Sequence, residues 1–90
     1  MSKSDYNYAI EENENLIIVE DLNRGRMSVT NNIEEVVCEI QDKHPDCYFE
    51  YVIYFDSEGV WDAWDIKNER FILLNAGDLI TAKHRLNKIK

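Results

Sequence analysis

Glycine is scarce in this chain: three in ninety residues, beside one proline, two cysteines and two histidines. Each shortage closes off some chemistry. A phosphate-cradling loop needs several glycines close together, so that backbone N–H groups can approach the phosphate. Gly25, Gly59 and Gly77 stand far apart. Nucleophilic catalysis needs a base held against a serine or cysteine, and donors for the oxyanion. The only imidazoles are His44 and His84, and no glycine-rich elbow surrounds Ser28, Ser57, Cys38 or Cys47. Cys38, His44 and Cys47, with His84 as a fourth ligand, match no standard structural zinc spacing. They read as two ordinary part-buried thiols and a helix-end histidine. The chain is therefore expected to be no enzyme and to use no cofactor. The start, Met1-Ser2-Lys3-Ser4, leads into no apolar core, and the longest apolar runs are residues 16–19 and 71–74. Neither a signal peptide nor a membrane span is expected, and the thiols are expected to be reduced in a cytoplasm.

What the chain has in excess is acid, and the excess is uneven. Residues 1–66 hold sixteen of the eighteen Asp and Glu against four Lys and Arg, twelve net negative charges. Residues 67–90 hold six cations against two acids, four net positive charges. The overall charge of −8 disfavours direct binding to nucleic acid or anionic membrane, because phosphate neutralisation needs clustered cations. Ninety residues fit one domain, 1–90, and 44% hydrophobic content suffices for its core.

Hydrophobic periodicity predicts the order β-β-α-β-β-β-α. Residues 6–10 and 16–20 form a hairpin around the polar turn 11–15. Asn31 opens a helix as its cap, and Ile33, Val36, Val37 and Ile40 recur at i, i+3, i+4 and i+7 until Pro45 ends it. Residues 48–55 alternate, with Phe49, Tyr51, Ile53 and Phe55 as the expected core face. Asp56-Ser57-Glu58-Gly59 turns into a strand over 60–66, and 67–70 turns again into 71–75. Asn75 is expected to cap a last helix with Leu79, Ala82, Leu86 and Ile89 buried. The fold class is α+β, a mostly antiparallel sheet with both helices on one face.

Three patches are candidates for contact. Glu35, Glu39 and Asp42 follow at i, i+4 and i+7, so they stack along one side of the first helix. They are either a solvated face or a row of carboxylates, one pitch of about 5.4 Å apart, that imitates nucleic-acid phosphates to a basic groove. Asp56, Glu58, Asp62 and Asp65 interleave with Trp61 and Trp64 in the second hairpin. That composition suits either a solvated turn with one core indole, or a hot spot for a basic partner. The basic tail, Lys83, Arg85, Lys88 and Lys90, complements a helix C-terminus or pairs with the acidic body of a second copy in a homodimer.

Two segments resemble short uncharacterised proteins encoded by tailed bacteriophages. Residues 27–37, Met-Ser-Val-Thr-Asn-Asn-Ile-Glu-Glu-Val-Val, are similar to their SVTN-x-x-E-x-V stretch. Residues 53–62 are similar to their Y-x-D-S-E-G-x-W-D hairpin. The resemblance covers under a third of the chain and implies origin, a small product of the bacterial host cytoplasm, with no activity to transfer. The combined expectation is a non-enzymatic acidic protein that inhibits or modulates a host defence or nucleic-acid-processing protein with a basic surface. Two alternatives stand beside it. One is an oligomeric sponge for an anionic nucleotide, stacking on Trp61, Trp64 or Tyr54 with phosphate on Arg70, Arg85 or Lys88. The other is a structural or assembly protein.

Overall fold

A strand with one wet face alternates apolar and polar residues, and Leu16-Ile17-Ile18-Val19 does not. All four side chains are buried, so this strand is covered on both sides. The computed structural model describes residues 8–20, 29–55 and 59–90, the side chains of 29–32 excepted. Its elements are β1 (Tyr8–Glu11), a single 3-10 turn (Glu12–Glu14), β2 (Leu16–Val19), α1 (Val29–Lys43), β3 (Tyr51–Phe55), β4 (Trp61–Asp65), β5 (Arg70–Ala76) and α2 (Leu79–Ile89). The expected order and class are those observed.

The strands lie in the order β1-β2-β3-β4-β5. Neighbours joined by short connections run antiparallel; β2 and β3 run parallel, because α1 carries the chain back over the sheet between them. Alternation then divides the core in two. Ile17, Val19, Val52, Tyr54 and Trp64 pack under the α1 stripe of Ile33, Val36, Val37 and Ile40. Leu16, Ile18, Ile53, Ala63, Ile72 and Leu74 point the other way, and Ala82 and Leu86 of α2 cover them.

The helices therefore lie on opposite faces of the sheet, not together on one face as expected. The same fact corrects the reading of β3. Val52, Ile53 and Tyr54 are all buried, because a central strand between two helix layers has no solvent face. Each fully buried Ile or Val on either side is worth about 1.5–3 kcal/mol of transfer free energy, so neither layer is dispensable.

Two boundaries also shift. Helix α1 begins at Val29, so Asn31 lies within its first turn and not before it. Helix α2 is capped by Asp78, whose Oδ1 accepts the Thr81 N–H at 2.7 Å. The hydrogen bonds from Thr81 hold the Asp78 carboxyl below the ordinary carboxylate range. Asn75, the expected cap, instead takes a left-handed conformation with φ of 51° at the end of β5.

Candidate protein-binding surface

The Trp-Asp hairpin is built inward. In the β4–β5 register Trp61 pairs with Ala76 and Ala63 with Ile72, so Leu73, Leu74 and Asn75 together oppose the single residue Asp62. A bulge of this size frees backbone groups that the ladder would have paired. Asp62, 7% exposed, meets two of them: its Oδ1 accepts the N–H of Leu74 at 2.9 Å and of Asn75 at 2.8 Å. Arg85 of α2 takes the carbonyl side, its Nη1 donating to Leu74 O at 2.8 Å and Asn75 O at 3.0 Å. The bulge is thus clamped by a carboxylate and a guanidinium.

Asp65, 3% exposed, accepts the Asn68 backbone N–H at 3.1 Å and the Asn68 Nδ2 at 2.8 Å, which closes the turn into β5. Arg70 Nε lies 3.8 Å from the same carboxylate. Trp64 is buried under α1, with its ring 4.7 Å from that of Phe71. Trp61 is half-buried against Phe55, ring centroids 5.2 Å apart. Asp62, Trp64 and Asp65 are therefore corrected as exposed partner contacts. Acids alternating with indoles here serve a two-sided core and the turn and bulge beside it. Asp56 and Glu58 lie outside the described residues.

The basic tail is largely used within the domain as well. Lys83 Nζ lies 2.8 Å from both carboxylate oxygens of Glu11, which ties α2 to the edge strand β1. Lys90 Nζ sits 5.7 Å from the centroid of the Tyr51 ring. The residues named for a nucleotide site are divided by the sheet: Tyr54 and Trp64 belong to its α1 side, whereas Trp61 packs on the other side, where α2 carries Arg85 and Lys88. The thiols are likewise apart from His84. Cys38 is exposed on α1, while Cys47 donates to Glu12 Oε2 at 3.9 Å. His44 Nε2 lies 3.3 Å from the Tyr8 hydroxyl. Among the described residues no group of three or more His, Cys, Asp and Glu could hold a metal ion, and no helix is long and apolar enough to cross a membrane.

Desolvation, with the charges of Glu12 and Asp46 beside it, raises the Cys47 thiol above the ordinary thiol range. The raised value leaves less thiolate at neutral pH, and the thiolate is the nucleophile. Alkylation of Cys47 by iodoacetamide, followed by mass spectrometry across pH, is expected to show a midpoint above that of a free thiol. Glu12→Gln is expected to lower that midpoint; an unchanged profile would remove Glu12 as a cause.

The helix row is the patch that stays outward. Glu35 and Asp42 are exposed, Glu39 is half-buried between them, and Glu34 adds a further exposed carboxylate one residue before the row. Among the described residues Glu34, Glu35 and Asp42 have no ion-pair partner, in contrast to Glu11 and Asp65. The stripe of Ile33, Val36, Val37 and Ile40 fixes this orientation by burying the opposite side of α1.

Beside it lies a feature that sequence reasoning missed. A groove of about 300 Å³ runs between α1 and the end of the sheet, with Val37, Trp64 and Ile66 along it and Glu34 and Glu69 among its walls. Phe71 is 37% exposed and Leu73 is 82% exposed, alternating with buried Ile72 and Leu74 on β5. The signal was present in Phe71-Ile72-Leu73-Leu74, a run with more apolar residues than an edge strand covered on one face can bury.

No family model, curated protein or solved structure matches this chain.

Proposed function

We propose that this chain is a non-enzymatic binding domain that presents the outer side of α1 to a basic protein surface. The observation that carries the reading is the exposed set of Glu34, Glu35 and Asp42, without an ion-pair partner among the described residues and held outward by the buried stripe of the same helix. Carboxylates repeated along a helix create a sustained negative potential, which speeds encounter with a basic partner and is screened by salt. Taken with the resemblance to phage products, the partner is a host defence or nucleic-acid-processing protein of the bacterial cytoplasm. Its DNA or RNA groove is the basic surface that the carboxylates would occupy.

The test is a comparison of the wild-type chain with the triple variant Glu34→Gln, Glu35→Gln, Asp42→Asn. All three sites are exposed, so each change should alter stability by no more than about 0.5 kcal/mol. Both proteins are immobilised and exposed to bacterial lysate at low and high salt, and the retained proteins are identified by mass spectrometry. The expected result is a basic-surfaced protein held by the wild type at low salt, released at high salt and absent from the variant. Equal retention by both chains would overturn the reading.

A further inference from the structure

We propose that the open edge of β5 receives an extended segment of the basic partner as a sixth strand. The segment's apolar residues would lie on Phe71 and Leu73, and its cations would face Glu34 and Glu69. This rests on the reading above that the partner is basic, and it adds where and in what conformation the partner is held.

The hydrogen-bond phase of the sheet exposes this edge. Ile66 N–H donates to Glu50 O at 3.0 Å, so in the β3–β4 ladder the Glu50/Ile66 and Val52/Trp64 pairs exchange backbone bonds. By alternation, Ala63 and Asp65 direct their backbone groups towards β5, onto Ile72 and Arg70. Phe71, between those two, then turns its N–H and C=O away from the sheet. β5 is the last strand in the order, and among the described residues nothing pairs with that side. An edge of this kind is a template for another strand.

Side chains on the same edge point to the chemistry of the occupant. Phe71 and Leu73 expose apolar surface towards the α1 side, next to the groove along Val37, Trp64 and Ile66. Glu34 and Glu69 line that groove, and no cation does. Arg70, the cation of this strand, sits on the opposite face beside Asp65. The fitting segment therefore alternates, with valine-like and lysine-like residues on one face and small neutral residues on the other. A second copy fits less well. Two β5 edges joined about a two-fold axis would bring two acidic α1 helices to the same side of one sheet, against each other's charge.

The probe is the acetylated, amidated peptide Lys-Thr-Val-Thr-Val-Thr-Lys, titrated at low salt into the full chain labelled with 15N. The expected result is a saturable shift of the β5 resonances, with exchange of the Phe71 amide slowed at least about tenfold. Leu73→Asp, at an exposed site, is expected to weaken binding at least about tenfold while leaving the free spectrum folded. A peptide with the same side chains but N-methylated valines cannot pair with the edge, and equal binding by it would overturn strand addition. So would shifts confined to α1, equal binding by a peptide with glutamate for lysine, or the absence of any shift. Shifts of β5 that grow with protein concentration alone would make a second copy the occupant and overturn the proposal too. The lysate comparison does not depend on β5, so it judges the charge reading separately.

Discussion

Asp62→Ala is expected to destabilise the domain by about 2–4 kcal/mol, because it leaves the buried N–H of Leu74 and the part-buried N–H of Asn75 without their acceptor. An exposed hot-spot acid at the same position would cost no more than about 0.5 kcal/mol, so urea denaturation separates the two roles. The conservative variant Asp62→Asn keeps an acceptor oxygen and loses only the charge assistance, so it should cost roughly half as much. Arg85→Ala removes the other half of the clamp, the bonds to Leu74 O and Asn75 O. Because both residues hold one bulge, the double variant should be less destabilised than the two single losses added together, by about 0.5–3 kcal/mol. Strict additivity would show that the carboxylate and the guanidinium do not act on a common element.

The second large effect concerns Trp64. Its indole fills the layer between β4 and α1 and meets the Phe71 ring at a centroid distance of 4.7 Å. Trp64→Ala is expected to cost about 3–5 kcal/mol, the range for emptying a buried aromatic site. A chain of this length has a total stability of roughly 5–13 kcal/mol, so the variant should sit close to unfolding at room temperature. Trp61→Ala should cost clearly less, because that ring is only half-buried. Thermal and urea melts of the two variants check the order; equal costs would mean that the indoles are equally buried. The pair also matters for the β5 groove, since Trp64 lies along it and Trp61 does not.

These two residues show why the second hairpin resembles a surface in sequence and is internal in the fold. Alternating Trp and Asp looks amphipathic when only one strand is in view. Both faces of β4 are covered, and the two acids are buried because local backbone groups need acceptors: the bulge at Leu74 and Asn75, and the turn at Asn68. A bulge is a property of a strand pair, and no periodicity within either strand announces it. In the sequence the clamp residue Arg85 belongs to a basic tail that complements a helix dipole. Its partners are carbonyls ten and eleven residues earlier in the chain, beyond the reach of a helical pattern.

Element order and helix α1 were legible for a physical reason as well. Hydrophobic recurrence at i, i+3, i+4 and i+7 encodes a buried stripe, and burial of that stripe sets which carboxylates face outward. The period of α1 therefore places Glu35 and Asp42 outward, whereas Glu39 between them is half-buried. The apolar run Leu16–Val19 also encoded a strand covered on both faces, a sign that argued against placing both helices on one side.

By itself, then, the amino-acid sequence determined the charge, the order of the elements and the buried stripe of α1, because each depends on local composition or on the period of one element. Only the tertiary structure decided that the helices lie on opposite faces, that Asp62, Trp64 and Asp65 are internal, and that β5 is the last strand of the described sheet, with Phe71 partly and Leu73 largely exposed. Those outcomes depend on which strand lies beside which, and pairing between distant segments leaves no mark in the pattern of either one.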